Sequence, residues 1–176
     1  MEISNRSSGT TVADIATEDL ARAVAAALQT RTGREPSFVD LHGHGHAKAR
    51  VQIGYLLGSA DLGRPDVELD DPASARQSSI RVLAAESGLR FSALLRGPVS
   101  LGGLLERTGY PAVPSPAASD PGTDPYVEGG HITRRHGSID GRQMSAVQIE
   151  MAYPELCGSP TARARCADAL AEAPFT

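Results

Sequence analysis

Short, dense runs of apolar residues occur at four places along the chain, and each run predicts a β-strand. The runs are SFVDLH (37–42), the segment from Arg50 to Leu57, AVP (112–114) and MSAVQIE (144–150). Successive side chains of a strand point to opposite faces of its sheet. In the last run, Gln148 and Glu150 are therefore expected on one face and Ile149 on the other.

Between these runs, apolar residues recur three and four positions apart, which predicts helices. One helix is expected after the capping residue Thr17, with apolar residues every four positions until Gly33 ends it. Further helices are expected over 72–86, 91–97, 100–109 and 161–173. Three segments predict loops: the acid-rich stretch 61–71, the proline- and glycine-rich stretch 111–130, and GGHITRRHGS (129–138). Helices that alternate with strands are typical of an α/β sandwich, in which helices cover the faces of a sheet.

Length and charge narrow the class of protein. At 176 residues the chain fits one domain, 1–176, and its net charge of -4 provides no basic stripe for nucleic acid. No apolar run approaches the roughly 18 residues of a membrane-spanning helix. The polar start MEISNRSSGTT is unlike a signal peptide. We therefore expect a cytoplasmic protein with neither a membrane nor a nucleic acid as its partner.

The segment VDLHGHGHA (39–47) carries three of the five histidines in the chain. In an extended strand, Asp40, His42, His44 and His46 would share one face. Two imidazoles at this spacing can bind one zinc ion, each through one ring nitrogen. A glycine-rich loop with solvated histidines is the alternative interpretation.

Two later segments also carry candidate chemistry. GGHITRRHGS brings His131, Arg134 and Arg135 together, and the planar guanidinium of arginine suits the carboxylate of an acidic substrate. A surface loop with solvated charges is the alternative there. Glu150 follows a buried run, where a carboxylate either forms a structural salt bridge or moves protons beside a metal-bound water.

Taken together, VDLHGHGH, EGGHITRRHGS and AVQIEM resemble the N-formylglutamate amidohydrolase family, within the zinc-carboxypeptidase and aspartoacylase group. An Asp-x-His strand end, a Gly-Gly-x-Ile-Thr-Arg loop and a Gln-x-Glu strand follow in the family's order, over about 14–173. The resemblance implies a three-layer α/β sandwich with a central mixed sheet flanked by helices. It also implies zinc-assisted hydrolysis of an acidic N-acyl amino acid such as N-formylglutamate.

The same resemblance implies a role for individual residues. By position, His42 matches a zinc-binding histidine, Glu150 the catalytic glutamate, and Arg134 a loop arginine that contacts the substrate carboxylate. The other candidates lie beside these in the same motifs: Asp40 and His44 for the metal, and His131 and Arg135 for the substrate.

The chain departs from the family pattern at its start. Family members open with a strand that ends in a His-Ser-Gly or His-Gly-Gly turn and supplies the first metal ligand. Here ISNRSSG resembles the segment just downstream, so the first family strand and its ligand are expected to be missing. Three hypotheses follow: a zinc-dependent amidohydrolase, a catalytically inactive or truncated member that keeps the fold, and a metal or small-ligand binding module that uses HGHGH alone. The oligomeric state stays open.

Overall fold

The computed structural model of the chain describes residues 37–153, 156 and 158–172. The helix predicted between Thr17 and Gly33 lies outside these residues. Within them, all four predicted strands are confirmed: β1 (Ser37–His44), β2 (Val51–Gly54), β3 (Ala112–Val113) and β4 (Ser145–Ala152).

The four strands form one mixed sheet in the order β1-β4-β2-β3. The central strand β4 pairs in parallel with β1 and antiparallel with β2, and β3 pairs in parallel with β2. Two strands that are far apart in the sequence, β1 and β4, are thus direct neighbours. The described part of the chain is therefore an α/β structure with a four-stranded mixed sheet.

Eight α-helices and one 3-10 helix are present among the described residues. They are α1 (Ser59–Leu62), α2 (Asp66–Leu69), α3 (Pro72–Gln77), α4 (Arg81–Glu86), α5 (Phe91–Arg96), α6 (Leu101–Arg107), α7 (His131–His136), the 3-10 helix Ile139–Gly141 and α8 (Pro160–Glu172). The helices predicted over 91–97, 100–109 and 161–173 are confirmed as α5, α6 and α8. Ser100 caps the N-terminus of α6, because its side chain accepts a hydrogen bond from the Gly103 backbone N–H.

Two of the predicted loops contain helices instead. The acid-rich stretch 61–71 includes the end of α1 and all of α2, because Leu62 and Leu69 are completely buried and fix these short helices against the core. The predicted loop 129–138 contains α7, whose Thr133 is also completely buried. In both segments a few buried side chains fix the backbone, although exposed charged residues dominate the sequence pattern.

The single helix predicted over 72–86 is divided into α3 and α4. Between them, the carbonyl oxygen of Ser79 accepts hydrogen bonds from the backbone N–H groups of Ser138 and Ala146. Its own N–H donates to the Tyr55 carbonyl oxygen. These bonds to neighbouring segments replace the helical ones, so the helix stops and starts again.

One face of the sheet forms the hydrophobic core. Its residues alternate along the strands: Val39, Leu41, Val51, Ile53, Ala112, Val147, Ile149 and Met151. Buried leucines of α1, α2, α5 and α6, together with Cys166 and Ala169 of α8, complete the same cluster. The side chains on the opposite face of the sheet do not belong to this core cluster.

Candidate functional site

The face of the sheet opposite the core carries six polar side chains beside apolar residues such as Phe38. We call these six the polar face: Asp40, His42, His44, Gln52, Gln148 and Glu150. The strand register pairs Glu150 with His42 on one side and with Gln52 on the other. The structure therefore brings His42 and Glu150, which come from separate motifs, side by side on adjacent strands.

His42 is held by Asp40. The two side chains meet at 2.9 Å between His42 Nε2 and Asp40 Oδ1, with the histidine side chain 41% exposed and the aspartate 2%. This hydrogen bond raises the pKa of His42, and the charges of Asp40 and Glu150 raise it further, while partial burial acts in the opposite direction. Asp40 therefore favours the protonated imidazole.

Glu150 is almost completely buried, with 6% of its surface exposed. Gln148 Nε2 donates a hydrogen bond of 2.6 Å to its Oε1 atom. Burial raises the pKa of Glu150, and this effect outweighs the His42 charge and the Gln148 hydrogen bond, both of which lower it. A carboxylate whose pKa moves toward neutrality is better suited to accept and return a proton at physiological pH.

His44 and His46 connect the end of β1 to β2. His44 Nε2 donates to the Arg50 carbonyl oxygen at 2.8 Å, and His44 Nδ1 accepts from the His46 backbone N–H at 3.2 Å. The two imidazole rings stack at 4.7 Å, and the Gln52 amide reaches His46 Nδ1 at 2.8 Å. Both ring nitrogens of His44 are thus engaged within the protein.

The segment 124–130 runs over β2 on the polar face. Gln52 Nε2 donates to the Pro125 carbonyl oxygen at 3.2 Å, and Gln52 Oε1 accepts from the Val127 N–H at 2.9 Å. Farther along, the backbone at Gly129 and Glu128 lies directly over Gly54. This segment, the cover loop (124–130), closes the side of the polar face that lies over β2.

Helix α7 packs over β1 and β4 at the end of the cover loop. Thr133 of this helix is buried, and the His136 ring stacks on Phe38 with the ring centroids 4.4 Å apart. The three predicted substrate residues of this segment, His131, Arg134 and Arg135, are exposed. None of the three side chains is hydrogen-bonded to His42 or Glu150.

The sequence analysis placed Gln148 on the same face as Glu150 but gave it no role, and it did not single out Gln52 or Arg50. Gln148 fixes Glu150, Gln52 fixes the cover loop, and Arg50 is buried beside them. The alternation of side chains along a strand could have identified them. Gln148 is two residues from Glu150, and Arg50 is two residues from Gln52, so each pair is expected on one face.

The geometry of the described residues gives no support to a zinc site. A catalytic zinc site has three protein ligands, and no group of three or more His, Cys, Asp or Glu side chains within the described residues is arranged to hold a metal. His44 has both ring nitrogens engaged, which leaves His42 with the carboxylates of Asp40 and Glu150.

Comparison with protein-family models, with curated proteins and with solved structures found no match to this chain. Among the residues that the structure describes, no helix has both the length and the apolar composition needed to cross a bilayer.

Proposed function

We propose that this protein is an amidohydrolase that cleaves the amide bond of an acidic N-acyl amino acid, with Glu150 as the general base. The pairing of His42 with Glu150 across β1 and β4 carries this proposal. The resemblance to N-formylglutamate amidohydrolases supports the same substrate class. A three-layer, zinc-carboxypeptidase-like sandwich is part of the proposal.

The reaction uses one water molecule and the two paired residues. Glu150 takes a proton from the water molecule while the water oxygen forms a bond to the amide carbonyl carbon. His42, kept protonated by Asp40, stabilises the negative charge that develops on the carbonyl oxygen. The carbon–nitrogen bond then breaks, and Glu150 returns the proton to the leaving amine. The products are the carboxylic acid and the free amino acid.

Zinc enters this proposal as a possible additional group whose ligand set is incomplete in the described part of the chain. His42 would be one of its ligands, and a catalytic zinc site requires two more from the protein. Bound zinc would polarise the carbonyl and activate water. Every step given above is assigned to side chains of the chain itself.

The test is formate release from N-formyl-L-glutamate by the purified chain, measured with added zinc and with a chelator. Glu150→Gln keeps the shape of the side chain but removes the base, so we expect a loss of about 100-fold or more in kcat. Glu86→Gln, the same change on an exposed carboxylate of α4, is the control and should act like wild type. Equal rates for wild type and Glu150→Gln would overturn the proposal.

A catalytically inactive member with the same fold is the second candidate. Internal partners already engage both His42 and Glu150, which favours this alternative. It predicts that wild type binds N-formyl-L-glutamate without releasing formate. A binding module based on HGHGH is a third, and it predicts stoichiometric zinc that survives dialysis and is lost on His44→Ala.

A further inference from the structure

Arg50 is a buried cation at the margin of the polar face. The residue is 9% exposed, and its Nε and Nη2 atoms are buried without a hydrogen-bond acceptor among the described residues. Arginine stays charged at every physiological pH and carries five N–H donors. Buried donors are normally hydrogen-bonded, so two open ones on a buried charge indicate an absent acceptor.

The nearest negative charge satisfies Arg50 only in part. Asp124 Oδ2 lies 3.3 Å from Arg50 Nη2, an ion pair whose N–H is not aligned for a hydrogen bond. The same oxygen lies 2.6 Å from Lys48 Nζ, and this second pair is more exposed, with side chains 28% and 64% accessible. Asp124 is thus committed to Lys48, while the Nε–H of Arg50 is left open.

Arg50 directly precedes β2, on the side of the polar face that the cover loop closes. It is two residues before Gln52, the register partner of Glu150, so the two side chains share a face where the strand is extended. The cover loop supports this placement, because Asp124 contacts Arg50 while the next residues contact Gln52. Two residues of extended chain span about 7 Å between their Cα atoms, which places the Arg50 backbone about that far from Gln52, the neighbour of Glu150 on β2.

We propose that Arg50 is the anchor for the substrate carboxylate, in place of the exposed arginines of α7. Nε and Nη2 form one edge of the guanidinium plane, and their two N–H groups point the same way. A carboxylate can accept both side by side. The substrate identity rests on the proposed function; the prediction of a carboxylate site does not.

The test is calorimetric titration with glutarate, a dicarboxylate that has no amide to hydrolyse. Arg50→Met should weaken binding about tenfold or more, in line with the loss of a charged hydrogen-bond pair. Arg50→Lys should not restore it, because an ammonium lacks the planar edge. Asp124→Asn should tighten binding by removing the competing carboxylate. Arg76→Met, on an exposed arginine of α3, is the control.

Circular dichroism checks that each variant is folded, and Asp124→Asn keeps the test decisive if Arg50→Met does not fold. Failure of wild type to bind glutarate, unchanged binding in Arg50→Met or in Asp124→Asn, or a larger loss in Arg134→Met would each overturn the assignment. Glutarate binding through Arg50 without formate release would reject only the proposed hydrolysis.

Discussion

Substitution of Gly54 by alanine tests how closely the cover loop packs on the polar face. A Cβ atom at Gly54 would lie 2.6 Å from Gly129 N, 2.7 Å from Glu128 C and 2.8 Å from Glu128 O. All three are backbone atoms, and the loop is held there by the hydrogen bond from Leu56 N–H to Glu128 O. Neither side can rotate away, so the loop or the strand has to move. Overpacking of this kind destabilises a protein by about 1–3 kcal/mol.

The free energy of unfolding can be measured by urea denaturation, followed by circular dichroism because the chain has no tryptophan. Gly45→Ala is the matched control, since nothing lies within 4 Å of its Cβ position. Without a clash, Gly→Ala stabilises a protein by about 0.4–1 kcal/mol through the unfolded state. The two variants should therefore change stability in opposite directions. A Gly54→Ala protein as stable as wild type would show that the cover loop does not rest on β2.

Three further predictions concern stability and pH. The pKa of His42 is raised in the folded protein, so its bond to Asp40 stabilises the fold fully below the unfolded pKa of about 6.5 and less as the pH rises through the folded value. In urea denaturation, His42→Ala should lower the free energy of unfolding by a few tenths to about 1 kcal/mol at pH 6, and by less at pH 9. A loss that does not change with pH would contradict this. Leu62→Ala should lower the free energy of unfolding by about 2–5 kcal/mol. Val67→Ala, at a position 80% exposed, should change it by no more than about 0.5 kcal/mol. Equal losses of the two variants in urea denaturation would refute the burial of Leu62 in α1. Glu150 must be ionised to act as the proposed base, and its pKa is raised from 4.5, so kcat should rise with pH with a midpoint above pH 4.5. A midpoint at or below pH 4.5 in the pH profile of kcat would argue against Glu150 as the base.

The strands were predictable because their signal is local. Dense apolar runs marked all four, and their alternation already separated Gln148 and Glu150 from Ile149. Which strands are neighbours is not a local property, since β1 and β4 are about 100 residues apart in the chain and only the folded core decides their pairing. Alternation therefore predicted the face of each residue, while the pairing of His42 with Glu150 depended on the fold.

The wrong loop predictions have a common physical cause. Four- and six-residue helices are shorter than the window over which periodicity can be recognised. In 61–71 the five acids suggested exposure, but burial of Leu62 and Leu69 fixes the chain. In 129–138 the arginines dominated the pattern, although Thr133 and Ser138 are completely buried there.

The site residues divide in a similar way. Asp40, His42 and Glu150 stand out because charged and imidazole side chains within dense apolar runs are unusual. Arg50 did not stand out, because an arginine before an apolar run is common on protein surfaces and its burial depends on the distant residue Asp124. A partner from another part of the chain cannot be inferred from local spacing.

The proposed mechanism depends on Glu150 acting as the base beside a protonated His42. An NMR titration of the Glu150 side-chain carboxyl, in metal-free buffer, tests it most directly in wild type and His42→Ala. We expect a pKa above 4.5 in wild type, raised further when His42 is removed, since the imidazolium charge lowers the pKa of the carboxyl. A carboxyl that titrates near 4.5 in both proteins would contradict the pairing.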